Sequence, residues 1–305
     1  MPRKDSRGLP AALAERGLLY VALLVLVALG IFALTRIVLA LYTGTDGVPI
    51  SGWPRFLVFG LWFDAAALSF LLVPFLLYEA ALGNRWRAAA WQRWTRYGVF
   101  WFVTASLLFN ALAELLFWNE FETRFNFIAV DYLVYTREVI GNIRESYPVT
   151  PLLLAVGVLA ALLTWALRGL LARTVGARLV RGARRNLLLA AVLLPLASGL
   201  LANVDQMYGH GNNHVEELSG NGLFTFAAAF RRNELDYERW YATIPQERAD
   251  RILNDLGVER EPLSKALLKM KHHDESTEPP PPFLKRYARH MVLITVESLS
   301  AEYLG

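Results

Sequence analysis

Five apolar stretches, each bounded by arginines, prolines or aromatic residues, constrain this chain more than any motif it contains. A helix needs roughly 20 mostly apolar residues to cross a hydrocarbon core of about 30 Å. Stretches of about that length fall at 18–42, 56–78, 97–118, 151–171 and 187–204. With 55% hydrophobic and 19% charged residues the chain is too apolar for a soluble globule, and the charges avoid these windows. That segmentation also excludes a disordered chain. The net charge of +4 is not gathered into a basic stripe with interleaved aromatics, which argues against nucleic-acid binding. The absence of cysteine removes disulfides, thiolate metal sites and cysteine nucleophiles. The first stretch is longer than a signal-peptide core, and no small-residue cleavage motif follows in Thr43-Gly44-Thr45-Asp46, so it reads as a retained span.

Orientation follows from the connections, because arginine-rich loops stay on the cytoplasmic side. Arg3, Lys4, Arg7 and Arg16 precede the first span; Arg85, Arg87, Arg93 and Arg96 lie between the second and third; Arg168, Arg173, Arg178, Arg181, Arg184 and Arg185 lie between the fourth and fifth. The first connection, 43–54, has no basic residue, and the third, 119–150, is slightly acidic. The expected topology places the N-terminus in the cytoplasm and everything after Val204 outside.

A charge at the centre of a spanning helix costs about 2.5 to 3.5 kcal/mol, so Arg36, Asp64 and Glu114 each need a partner or a polar cavity. With this orientation all three, together with Asn110, fall in the outer half of the bilayer. Two readings follow: an internal salt bridge of Arg36 with Asp64 or Glu114, or an outward-facing polar notch that admits an anionic lipid headgroup. Pro74 and Pro195 are candidate kinks.

Two extracytoplasmic segments are amphipathic. Phe121, Phe125, Ile128, Tyr132, Tyr135, Val139 and Ile143 draw one stripe along a predicted interfacial helix. Val215, Leu218, Leu223, Phe226 and Phe230 form a weaker stripe interrupted at Ser219-Gly220-Asn221-Gly222. Each stripe is suited either to packing on the bundle top or to positioning a lipid. His210, His214 and Glu217 have a spacing superficially like that of metal ligands, but Gly209 and Gly211 argue against a helix there. His272-His273-Asp274-Glu275 reads as solvated linker, and Pro279 to Pro282 as an extended polyproline spacer.

Met291 to Val296 is a β-branched apolar run of strand length, suited to a central parallel strand. Glu297 follows at its carboxyl end, where open α/β sheets carry their ligands. The expected fold class is therefore mainly α. A polytopic membrane bundle of five transmembrane helices (1–204) leads into extracytoplasmic juxtamembrane helices and a Pro-rich linker (205–289). Residues 290–305 then form the first β-strand of a truncated α/β domain.

The order of five spans, extracytoplasmic connector, linker and the stretch Val292-Leu293-Ile294-Thr295-Val296-Glu297-Ser298-Leu299-Ser300 resembles the lipoteichoic acid synthase and phosphoglycerol transferase branch of the sulfatase and alkaline phosphatase superfamily. Glu217-Leu218-Ser219-Gly220-Asn221-Gly222-Leu223-Phe224 and Asn233-Glu234-Leu235-Asp236-Tyr237 are similar to that family's juxtamembrane segment. The resemblance implies an enzyme of the bacterial cytoplasmic membrane. Such an enzyme passes phosphoglycerol from phosphatidylglycerol, through a phosphothreonine, to a cell-envelope glycan or glycolipid acceptor. It also implies a divalent metal, usually Mn2+, of which only one ligand carries over, Glu297. The nucleophilic threonine and the other ligands have no counterpart up to Gly305, so the expectation is a fragment that is inactive alone, with no catalytic residue of its own. A phosphoethanolamine transferase of the same superfamily and a non-catalytic lipid-binding membrane anchor are the alternatives. Five spans without paired interrupted helices do not suit a transporter.

Overall fold

The computed structural model describes residues 17–134, 136–209, 211–232 and 245–255. The expected strand at 291–296, Glu297, the polyproline spacer and His210 lie outside the described residues. The described residues from 17 to 232 belong to one unit. The second unit contributes one described helix, Gln246–Asp255, with Glu247 in its first turn, where a carboxylate suits the positive end of the helix dipole.

The described residues are mainly helical. In chain order they form α1 (Leu19–Gly47), α2 (Trp53–Leu71), α3 (Val73–Ala81), α4 (Asn84–Arg87), α5 (Trp91–Phe121), α6 (Phe127–Val134) and α7 (Thr136–Ser146). Next come α8 (Val149–Ala166), α9 (Arg168–Thr174), α10 (Arg181–Leu201), α11 (Asn213–Ser219) and α12 (Gly222–Arg232). Among the described residues five helices are long and apolar enough to cross a membrane, at Leu19–Gly47, Ile50–Leu71, Trp91–Phe121, Val149–Ala166 and Gly182–Leu201. These match the five expected stretches in order, with shifted boundaries. The second span divides at Leu72, and Pro74 sits in the first turn of α3, where its missing N–H forfeits no helical bond. The fourth divides at Leu167, and Pro195 lies inside α10.

One expected element is overturned. The stripe from Phe121 to Ile143 is not a single helix: α5 ends at Phe121 and Glu122 takes a left-handed conformation, φ 53°. Asn126 then starts α6 by accepting from the Ile128 amide at 2.9 Å, and the next described helix, α7, begins at Thr136. Local side-chain capping wins over the apolar period at this point. The aromatics still meet: Phe117 contacts Phe121 and Phe125, Phe121 contacts Tyr132, and Phe125 contacts Phe226 of α12.

The spans are unequal in length and in burial. Within their most apolar windows α1 and α2 are 39% and 44% buried, whereas α8 and α10 are each only 11% buried. The first two form the centre of the bundle, and the last two turn nearly bare Leu and Val faces outward, as a lipid-facing helix does. Trp101 Nε1 donates to the Gly157 carbonyl at 3.1 Å, which fixes the register of α5 on α8. Counting back to Val149, α5 from about Phe109 onward rises past the start of α8. The upper ends of the long helices would stand bare if α11 and α12 did not pack against them; α11 covers α1 and α2, and α12 covers α2 and α6.

The arginine-rich connections meet at the other end. Gly176 N–H donates to the Arg87 carbonyl at 3.1 Å, and Leu179 N–H to Asn84 Oδ1 at 3.1 Å. Glu79, fully buried, receives Arg87 Nη1 at 2.8 Å and Arg96 Nη2 at 2.9 Å, while Tyr20 lies beneath the Arg96 guanidinium. Glu79→Ala strands two buried cations, and the expected result is a loss of at least about 3 kcal/mol in unfolding free energy. Thermal unfolding of the detergent-solubilised protein, compared with Glu120→Ala at an exposed carboxylate, checks this.

Candidate functional site

The apolar core is interrupted along α1. One cluster, from Leu19 through Phe32, packs with Leu68, Leu72 and Phe100; a second contains Leu39, Ala40, Phe56, Trp118, Val215 and Leu218. Between them sits Arg36, 2% exposed. At about 1.5 Å rise per residue, Arg36 lies about 26 Å from the start of α1 and Asp64 about 26 Å from the end of α3, so antiparallel helices bring them level. Their contact is bidentate: Nη1 to Oδ2 at 2.8 Å and Nη2 to Oδ1 at 2.7 Å.

Segment 217–222 closes this pair from above. Arg36 Nε donates to the Leu218 carbonyl at 2.9 Å and Nη2 to the Gly220 carbonyl at 2.9 Å. Asn221 donates through Nδ2 to Asp64 Oδ1 at 2.8 Å, while its Oδ1 accepts from the amides of Leu223 and Phe224 and so caps α12. One side chain thereby joins a helix start to a buried carboxylate.

A second pair adjoins the first. Glu114 does not meet Arg36; it accepts from Arg124 Nη1 at 2.6 Å and from the Gly222 amide. Arg124 is 3% exposed, and burial pulls its guanidinium pKa down while the Glu114 carboxylate opposes that shift. Its backbone N–H donates to Glu217 Oε2 at 3.0 Å, and Tyr208 donates to Glu217 Oε1 at 3.2 Å. Asn110 is half-buried on α5 and joins none of these bonds.

Glycine makes this closeness possible at two positions. A Cβ on Gly60 would overlap the Arg36 guanidinium, and one on Gly222 would overlap the Glu114 carboxylate. Neither contact has any signature in hydropathy.

The layer is closed: Arg36, Asp64, Glu114, Arg124, Glu217 and Asn221 are all buried. Asp64 and Glu217 accept through both carboxylate oxygens, and Glu114 is held by Arg124 and Gly222. Chemically this is a clamp, two guanidinium groups and three carboxylates holding helices together. His214, which shared a spacing with Glu217, points instead to Glu122, with Nε2 to Oε2 at 3.9 Å, and its ring lies tilted beside Trp118, 6.1 Å between centroids. Among the described residues no three His, Asp or Glu side chains converge as metal ligands.

No protein-family model matches the chain, and no solved structure matches it. Arg124, Glu217 and Asn221 are the members of the layer that the reading of the spans passed over. Arg124 counted only as loop charge, and Asn221 only as part of an interruption. The Asn-Gly pair at 221–222 before an apolar run was the available signal, since it marks a helix start.

Proposed function

We propose that this chain is the membrane portion of a metal-dependent phosphoglycerol transferase, acting on phosphatidylglycerol outside the cytoplasmic membrane. The observation that supports the reading is the position of Glu217 to Phe224, the segment similar to that family's juxtamembrane region. It turns back onto the bundle and supplies Glu217, the Leu218 and Gly220 carbonyls, Asn221 and Gly222 to the polar layer. Such a segment would anchor the chain that leads on toward Glu297. In this reading Glu297 would hold one position on a divalent metal, Mn2+ by resemblance, which when bound would supply charge to activate a hydroxyl nucleophile. The acceptor is a cell-envelope glycan or glycolipid.

The saturated carboxylates of the layer favour a second reading for the described residues, a non-catalytic lipid-binding anchor. The test is transfer of labelled glycerol phosphate from phosphatidylglycerol in the presence of Mn2+. It compares the 305-residue chain with a product extended through any reading frame that continues past Gly305, and labelled phosphatidylethanolamine serves as a parallel donor. Transfer of glycerol phosphate by the extended product alone is the expected result. Transfer only from phosphatidylethanolamine would replace the proposal with the phosphoethanolamine alternative, and transfer from neither would leave the anchor reading.

A further inference from the structure

A groove of about 340 Å³ lies where α2, α10 and α12 converge. That volume lies in the range of small-molecule pockets, about 300 to 1,000 Å³. Phe70 and Leu71 form one wall, Gly199 of α10 another, and Ala227, Ala228 and Arg231 of α12 the third. Leu223, Ala227 and Arg231 recur every four residues, so a single face of α12 lines the groove and passes from apolar residues to a guanidinium. The space has a plain origin in the sequence. One glycine and four alanines, Ala67, Ala202, Ala227 and Ala228, stand where larger side chains would fill it.

Two features identify an occupant. The groove is flanked by the outward apolar face of α10, where Leu196 and Leu200 are exposed, so its surroundings are those of a lipid-facing surface. Arg231 is exposed and has no hydrogen-bond or ion-pair partner among the described residues. Its neighbour Arg232, in contrast, is held by Asp205 at 2.7 and 2.8 Å and by Asn203 at 2.8 Å. No carboxylate lines the groove to meet the ammonium of a zwitterionic headgroup. An apolar slot ending in an exposed cation that is unpaired among the described residues complements an acyl chain joined to an anionic phosphodiester.

We propose that this groove seats one anionic phospholipid, an acyl chain lying along Ala227 and Ala228 and the phosphate on Arg231. The seat is separate from the closed Arg36–Asp64 layer and does not depend on the transferase reading, since binding and transfer are measured independently.

The experiment uses the full chain, purified in detergent and stripped of lipid. Phosphatidylglycerol and phosphatidylcholine of matched acyl chains are titrated in, and bound lipid is counted by native mass spectrometry. The expected result is one retained phosphatidylglycerol per chain, with phosphatidylcholine weaker by about tenfold. Arg231→Gln should weaken phosphatidylglycerol by a similar factor, Ala228→Trp should abolish its retention by filling the slot, and Arg173→Gln, which removes an exposed cation at the opposite end, should change nothing. Equal affinity for the two lipids overturns the proposal. So does wild-type retention of phosphatidylglycerol by either groove variant. Arg231→Gln alters an exposed side chain and keeps the test decisive if Ala228→Trp fails to fold.

Discussion

Asp64→Leu should destabilise the purified protein by about 3 to 5 kcal/mol, the cost of leaving a buried cation unpaired. Arg36 would keep only two carbonyl acceptors, those of Leu218 and Gly220, and Asn221 Nδ2 would lose its acceptor as well. Arg36→Met should cost less, because Asp64 keeps Asn221 Nδ2 as a donor. The informative measurement is the double variant. If the pair acts as a clamp, Arg36→Met combined with Asp64→Leu should recover at least about 1 kcal/mol relative to the sum of the single changes, as contacting charges do in a double-mutant cycle. Thermal or SDS-induced unfolding in one detergent supplies all four values. Strict additivity would mean that Arg36 and Asp64 act separately.

The same pair marks the limit of what the sequence could disclose. Hydropathy and length located each of the five described helices long enough to cross a membrane, because a bilayer imposes an apolar length that needs no knowledge of neighbours. The isolated charges were equally plain, since an arginine in an apolar helix demands a partner. Which partner was not legible. Arg36 had two carboxylates at similar depth, and the choice was made by segment 217–222, whose carbonyls satisfy Arg36 from one side only. Backbone acceptors leave no trace in residue identity. Glu114 found Arg124 because the chain turns back just after α5, at a left-handed Glu122, and a non-glycine residue gives little warning of that turn.

Arginine counting carried a related blind spot. Arg87 and Arg96 contributed to the positive bias of the second connection as though solvated, yet both are buried against Glu79. Glu79 itself lies one residue past the expected end of the second span, so it read as an ordinary boundary charge. The helix continues to Ala81 and carries it inside. An error of a few residues at a helix end is harmless for topology and decisive for whether a carboxylate faces water or two guanidinium groups.

Glycine substitution separates packing from helix propensity. Gly60 and Gly98 both lie inside spanning helices, and in isolation alanine should favour a helix at either position by up to about 1 kcal/mol. At Gly98 a Cβ meets nothing within 4 Å, so Gly98→Ala should leave stability unchanged or raise it slightly. At Gly60 the added methyl would occupy the position of the Arg36 guanidinium, and the bidentate contact with Asp64 leaves that group no free direction to move. Gly60→Ala should therefore cost about 1 to 3 kcal/mol from overpacking alone, and more if Arg36 is driven off Asp64. Gly222→Ala should behave in the same way through Glu114 and Arg124. Unfolding curves for the three alanine variants give the test, and equal behaviour of Gly60→Ala and Gly98→Ala would show that α2 can shift enough to relieve the layer. A drop confined to Gly60→Ala and Gly222→Ala would place the tightest packing of the bundle at its charges, so that the two helices and the returning segment hold one another in register through ion pairs seated on bare backbone.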